Sequence, residues 1–201
     1  MKKGQATQTD RKLKIYLFRH GQTTYNRDKI FTGFKDAKLT FLGKKQAGII
    51  AKKLKTKKFQ AAFHTRLSRS IDTSNIVLKN HPECILLVDD DRMIERSYGK
   101  LEGKSHDSII NKYGQDKFNL WHRGFNTRPP GGESFKDVEK RVKSFIVDLK
   151  KFMKKNNVSV AISAHGNSMR VFRKYFEKLS NQEMCSLYND YESVYEYDVE
   201  V

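Results

Sequence analysis

Cysteine is scarce in this chain. Only Cys84 and Cys185 occur, too few for a disulfide framework, and neither belongs to a CxxC motif or to a Cys/His cluster of zinc spacing. No apolar run reaches membrane length, and there is no signal-like segment. The three prolines and twelve glycines form no Pro/Gly/Ser-rich linker, and internal repeats and low-complexity stretches are missing. Also absent are HExxH, GxxxxGK[ST], GxSxG and GxGxxG, so a zinc peptidase, a P-loop enzyme, a serine hydrolase and a dinucleotide-binding enzyme each lack their signature. These absences point to a reduced, cytoplasmic protein. Residues 1–12 lack apolar periodicity and are predicted to be a disordered basic tail. Residues 13–201 follow as one domain, in a chain whose 37% hydrophobic content is enough for one core.

Acidic residues are also in short supply. Forty Lys and Arg against 23 Asp and Glu leave a formal charge of +17, and the resulting field attracts anions, whether small phosphates or nucleic acid. The lysines of Lys44 to Lys58 and Lys150 to Lys155 fall mostly at polar helix positions, which reads as solvated faces. No zinc finger, RNP-like aromatic strand or glycine-rich KH loop accompanies them, so nucleic acid is not an expected partner.

Present, by contrast, are two copies of one arrangement. Ile15 to Phe18 reads as a short buried strand running into Arg19, His20 and Gly21. Far down the chain Val158 to Ser163 does the same, leading into Ala164, His165, Gly166 and Asn167 ahead of a helix over Asn167 to Leu179. If the two strands are parallel neighbours, both imidazoles project from one edge of one sheet, where ligands of open α/β sheets lie.

Between them the pattern alternates. Thr40 is placed to cap a helix with apolar Phe41, Ala47, Ile50, Ala51 and Leu54. Phe59 to Phe63 and Cys84 to Val88 read as strands, with a helix over Ser68 to Leu78 between them. Helices follow over Ser105 to Tyr113 and Gln115 to Gly124. After the Pro129 to Gly132 break, a long helix presents Phe135, Val138, Val142, Phe145, Leu149 and Phe152 at alternating steps of three and four, a core stripe. A short helix near Glu183 and a strand over Val194 to Val199 close the chain. The loop from Arg27 to Lys38, with Phe31, Thr32, Gly33 and Phe34 at its centre, is too apolar to be purely solvated and is a candidate to fold over the site. The fold class predicted is a three-layer α/β/α sandwich around a mostly parallel sheet.

A neutral imidazole can attack phosphorus when its second nitrogen is held as a donor and the phosphoryl oxygens are neutralised. His20 and His165, with Arg19 and Arg69 to supply planar forks matched to phosphate oxygens, have that chemistry. The helix start at Asn167 and Ser168 can turn backbone N–H groups toward an anion. Glu95, in a loop among apolar and basic residues, is the candidate general acid and base. No metal is expected, because Arg19 would repel a cation beside His20. His64 and His81 read as ordinary surface or strand-end residues, and His106 and His122 stand alone in the sequence.

Taken together, LFRHGQTTYN, FTGFKDAKLT, HTRLSRSIDTS, ERSYGKLEG, KYGQDKFNLWHRGF, GGESFKDV, AHGNSMR and VYEYD resemble the histidine phosphatases, and within them the cofactor-dependent phosphoglycerate mutases, from Lys14 to about Asp198. The resemblance implies His20 as the phosphorylated nucleophile, Arg19, Arg69 and His165 as its phosphate pocket, and Glu95 as proton donor and acceptor. Asn26 and Gly166 match further phosphate-pocket positions. Thr32, Gly33, Arg96, Tyr98, Arg123 and Asn167 match positions that hold substrate. The implied reaction interconverts 3-phosphoglycerate and 2-phosphoglycerate through phosphohistidine, primed by 2,3-bisphosphoglycerate, in a monomer or small homo-oligomer acting on a small phosphorylated substrate. The alternative is a phosphatase of the same fold. Ser97, His106 and His122 stand where the mutases usually carry His, Lys and Arg, which leaves Lys100, Lys104 or Arg128 as candidates to compensate.

Overall fold

A computed structural model describes residues 12–200. Of the tail predicted over 1–12, residues 1–11 lie outside the described residues, while Lys12 lies 3.7 Å from the Asp198 carboxylate.

In chain order the elements are β1 (Leu13–Arg19), α1 (Thr24–Arg27), α2 (Phe41–Leu54), β2 (Ala61–His64), α3 (Ser68–Leu78), β3 (Leu86–Asp89), α4 (His106–Tyr113), α5 (Gln115–Arg123), α6 (Phe135–Asn156), β4 (Val160–Ala164), α7 (Gly166–Glu177), α8 (Asn181–Ser186) and β5 (Val194–Val199). The sheet order is β3-β2-β4-β1-β5. All neighbours are parallel except β5, which runs antiparallel to β1.

Strand periodicity sorts the core into two halves, since successive side chains leave opposite faces. Ile15, Leu17, Phe63, Val160 and Ile162 join Val138, Val142, Phe145 and Leu149 of α6 and Met169 and Phe172 of α7. Tyr16, Phe18, Ala62 and Ala161 meet Ile50, Ala51 and Leu54 of α2 and Val77 of α3. That is the expected sandwich. A third cluster lies apart from the sheet, where Phe31 is buried with Tyr98, Leu101, Ile109, Phe118 and Trp121. It docks the 27–38 loop against α4 and α5, and so builds one wall of the site.

Thr40 caps α2 as the sequence predicts, and the structure adds a cap on α6. The Thr40 hydroxyl accepts from the Gly43 N–H at 2.9 Å, and Ser134 and Asp137 form a reciprocal capping box at the start of α6.

Several boundaries and placements differ from expectation. Phe59, although fully buried, precedes β2, and Cys84 and Ile85 precede β3: in each case pairing begins only where a parallel neighbour is in register. For the same reason β4 starts at Val160. Phe41 is 76% exposed instead of joining the stripe, its ring covered by the Lys45 ammonium at 4.6 Å. His64 and His81 are buried, His64 against Asp89 at 2.8 Å and His81 packed on Phe59 with ring centroids 4.3 Å apart. They are structural, but they are not surface residues. Between β3 and α4 the chain contains two single turns of 3-10 helix, Asp91–Met93 and Gly99–Leu101.

Candidate active site

Strands β1 and β4 end side by side, with Arg19 opposite Ala164. The His20 N–H donates to the Ala164 carbonyl at 3.0 Å, which carries the ladder one step past the strands. The two His-Gly corners therefore sit together, and the rings of His20 and His165 are 5.0 Å apart. Gly21 is required here, since a Cβ would lie 2.1 Å from the Gly43 carbonyl oxygen where α2 packs.

His20 is 2% exposed. Its Nδ1–H donates to the Gly21 carbonyl at 2.8 Å, which leaves the Nε2 lone pair for attack. Burial, and then the positive charges of Arg69 and Arg19, hold its pKa well below the ordinary 6.5, against the opposing pull of the Gly21 carbonyl. At neutral pH the ring is uncharged and nucleophilic. His165 is likewise kept neutral, by burial first and Arg69 second.

Arg69, in the first turn of α3, is 1% exposed. It donates to the carbonyls of Gly33 and Lys35, both at 2.9 Å. Reciprocal hydrogen bonds between Ser70 and Ser163 tie this turn to β4. Burial pushes the Arg69 pKa down to about 10, so it is still a cation at neutral pH. Arg19 donates to the Asn189 carbonyl at 3.1 Å and lies over the Tyr191 ring, and among the described residues its buried Nε has no partner.

Glu95 faces the same place from the 93–98 loop. Its Oε1 accepts from the backbone N–H groups of Arg96 at 2.8 Å and of Asn167, at the start of α7, at 3.0 Å. Arg141 grips the carbonyls of Arg92, Ile94 and Glu95 and fixes that loop. A Cβ at Gly166 would lie 3.5 Å from Arg19 Nη2 and 3.6 Å from Glu95 Oε2, which shows how closely the cation and the carboxylate converge.

These groups border a cavity of about 260 Å³. Of the residues singled out in the sequence, Arg19, Asn26, Thr32, Gly33, Glu95, Tyr98, Arg123, Gly166 and Asn167 line it. His20, Arg69 and His165 lie in the buried layer next to it, each adjoining a lining residue in sequence or by hydrogen bond. Arg96 does not reach the wall. Its guanidinium is stacked between Tyr98 and Phe135 at 4.5 and 4.4 Å and donates to the carbonyls of Trp121 and His122. Among the candidates to compensate, Lys100 and Lys104 are not on the wall, and Arg128 pairs with Asp137 elsewhere on the surface.

His106 and His122 do not stand alone. Their rings are 5.2 Å apart, both pack on Phe31, and both line the cavity. Burial lowers both pKa values, that of His122 to about 2 with help from Arg123. Arg170 escaped the sequence reading. It lines the cavity and donates to Asn167 Oδ1 at 2.7 Å, and its position three residues after Asn167 on one helix was a usable signal. Tyr188, Asn189 and Tyr191 also line the cavity from a loop with no periodicity to reveal them.

Three neutral imidazoles, the buried His20 and His165 and the half-buried His122, give a stability prediction. Unfolded, each takes up a proton near pH 6.5; folded, each has a lowered pKa. As pH falls below 6.5 the unfolded state binds more protons, and stability drops by up to about 1.4 kcal/mol per pH unit per histidine. For His122 that window runs down to about 2. Urea unfolding at pH 7.5, 6.0 and 5.0 is expected to show this decline, with a slope reduced by up to one proton in His122→Gln. Stability that does not change from pH 7 to 5 would sink the assignment of neutral rings.

An α/β enzyme with a paired histidine–arginine site at the carboxyl edge of its sheet is the class defined by this fold and site. The chain belongs to the histidine phosphatase superfamily, branch 1, which it matches over residues 15–200. A relative named 2,3-bisphosphoglycerate-dependent phosphoglycerate mutase, from Cytophaga hutchinsonii, is 32% identical over 171 residues, 85% of this chain and 80% of its own. Among solved structures, Bacillus stearothermophilus YhfR superposes with a TM-score of 0.80 at 26% identity, covering 92% of this chain and 90% of its own. Mycobacterial glucosyl-3-phosphoglycerate phosphatase Rv2419c, in complex with VO3, gives 0.77 at 25% identity, with 87% of each chain covered. Among the described residues no helix is long and apolar enough to cross a membrane.

Proposed function

We propose that this enzyme interconverts 3-phosphoglycerate and 2-phosphoglycerate through a phosphohistidine at His20, primed by 2,3-bisphosphoglycerate. The observation that carries this reading is the surplus of cations in one small cavity. Arg19 and the adjacent Arg69 suffice for a phosphoryl group at His20, yet Lys29, Arg123 and Arg170 line the same space, as suits a ligand with a second anionic group. The mutase names of relatives at about one-third identity point the same way.

The residues fit a bisphosphorylated ligand, since Arg19 Nε is buried without a partner and Lys29, Arg123 and Arg170 stand in the same cavity. When bound, 2,3-bisphosphoglycerate supplies the phosphoryl group that His20 carries. In each transfer the Nε2–P bond forms as the P–O ester bond breaks, and Glu95 delivers a proton to the leaving oxygen. In reverse, Glu95 takes the proton of the attacking hydroxyl as the Nε2–P bond breaks. Arg19 and Arg69 hold the phosphoryl oxygens, and the start of α7 orients Glu95 through the Asn167 N–H. Burial of His20 keeps water from its Nε2.

A second reading, hydrolysis of a small phosphomonoester, is favoured by one feature. His106 and His122 are neutral where the resembling mutases carry Lys and Arg, and a looser grip on the intermediate would admit water. The deciding assay is phosphorus NMR of 3-phosphoglycerate with trace 2,3-bisphosphoglycerate. The 2-phosphoglycerate resonance is expected to grow before inorganic phosphate does. Phosphate growing first would replace the mutase with the phosphatase.

A further inference from the structure

Three adjacent parallel strands, β2, β4 and β1, each run directly into a side chain with chemistry to offer at the same sheet edge. Strand β1 leads to His20 and β4 to His165. Strand β2, ending at His64, leads to Thr65, a residue of the HTRLSRSIDTS segment that was given no role and is not on the cavity wall.

Thr65 is completely buried. Its backbone N–H donates to Ser70 Oγ at 3.2 Å, which fixes the residue against the turn that carries Arg69. Its Oγ1 lies 2.8 Å from His165 Nε2. The direction of that hydrogen bond follows from the other ring nitrogen. His165 is the N-cap of α7, at the helix N-terminus, and among the described residues its buried Nδ1 has no hydrogen-bond partner. A nitrogen facing a helix N-terminus is more stable as a lone pair than as N–H, because the helix end is positive. The ring proton therefore resides on Nε2, and Nε2–H donates to the threonine oxygen.

A hydroxyl has one proton of its own to give. Among the described residues the Thr65 hydroxyl meets no acceptor other than the imidazole that is already donating to it. An O–H that accepts from a donor is a stronger donor in turn.

We infer that Thr65 is a ligand of the transferring phosphoryl group, its O–H donating to a phosphoryl oxygen while its oxygen accepts from His165 Nε2–H. The inference rests on the reading that His20 receives that group. In it, His165 and Thr65 form one line of donors leading from the start of α7 to the phosphoryl oxygen. Thr65 thereby gives the group an uncharged contact alongside Arg19 and Arg69.

The test uses Thr65→Val, which keeps the shape and removes the hydroxyl, and Thr65→Ser, which keeps the hydroxyl. The probes are orthovanadate binding by calorimetry and the rate of acid-labile labelling of His20 from radiolabelled 2,3-bisphosphoglycerate. Thr65→Val is expected to bind orthovanadate about tenfold more weakly or worse, and to be labelled about 10- to 100-fold more slowly, as suits the loss of a hydrogen bond to a charged group. Thr65→Ser should stay within about threefold of the parent. Thr65→Ala serves in place of valine if that variant does not fold. Unchanged orthovanadate affinity in a folded Thr65→Val or Thr65→Ala protein overturns the inference, and so does a Thr65→Ser protein as impaired as Thr65→Val. If the parent protein is never labelled at His20 while orthovanadate binding still depends on the hydroxyl, the anion contact stands and the proposed function falls.

Discussion

A His20→Ala variant is expected to lose phosphoryl transfer by on the order of 10⁴ or more while remaining folded. Of the two paired rings, His20 is the one with a nitrogen committed to a carbonyl and the other free for attack, since His20 Nδ1 is 2.8 Å from the Gly21 oxygen and His165 Nε2 is engaged by Thr65. On the proposed function, the arginines and Glu95 of the variant would still bind and orient a phosphate ester, but no covalent intermediate would form. The ring is neutral and makes one backbone contact, so its removal costs a modest cavity and no buried charge. Rate measurements together with acid-labile labelling check this. Turnover within about a hundredfold of the parent would show that His20 is not the nucleophile.

The second large effect concerns Arg69. Replacing it with Ala is expected to lower the rate by about 10³, or roughly 4 kcal/mol, the scale on which a buried arginine fork stabilises charge spread over phosphoryl oxygens. The side chain also binds the carbonyls of Gly33 and Lys35, so Arg69→Ala also loosens the 33–36 loop and is expected to lower thermal stability. Arg69→Lys separates the two roles. A lysine keeps the charge but not the planar fork, so it should recover part of the rate. A loss below about tenfold in Arg69→Ala would place Arg69 outside the phosphoryl pocket.

Much of the fold was legible because it is written in local periodicity. The alternating three and four spacing from Phe135 to Phe152 could be satisfied only by one face of a helix, and α6 is that helix. Two short buried runs ending in His-Gly implied adjacent parallel strands, and the Arg19 to Ala164 register brings the two rings to 5.0 Å. Glu95 was legible for a different reason, as a carboxylate in a loop otherwise apolar and basic.

Loops and polar side chains were less readable. The direction a side chain takes from an aperiodic segment depends on what packs against it. Arg96 follows Glu95 immediately, yet its guanidinium turns inward onto Tyr98 and Phe135. His106 and His122 lie in separate helices, and only the shared surface of Phe31 makes them one wall of the cavity.

The residues alone thus determined the alternation of strands and helices, their inward faces, and the presence of two His-Gly corners with arginines to match, because these follow from steric period and from the chemistry of single side chains. Only the tertiary structure decided which cations share the cavity, which arginine is diverted into the interior, and that Thr65 stands against His165 across 100 residues of chain. Those outcomes depend on distances between segments far apart in sequence, and such distances are set by packing around the whole sheet.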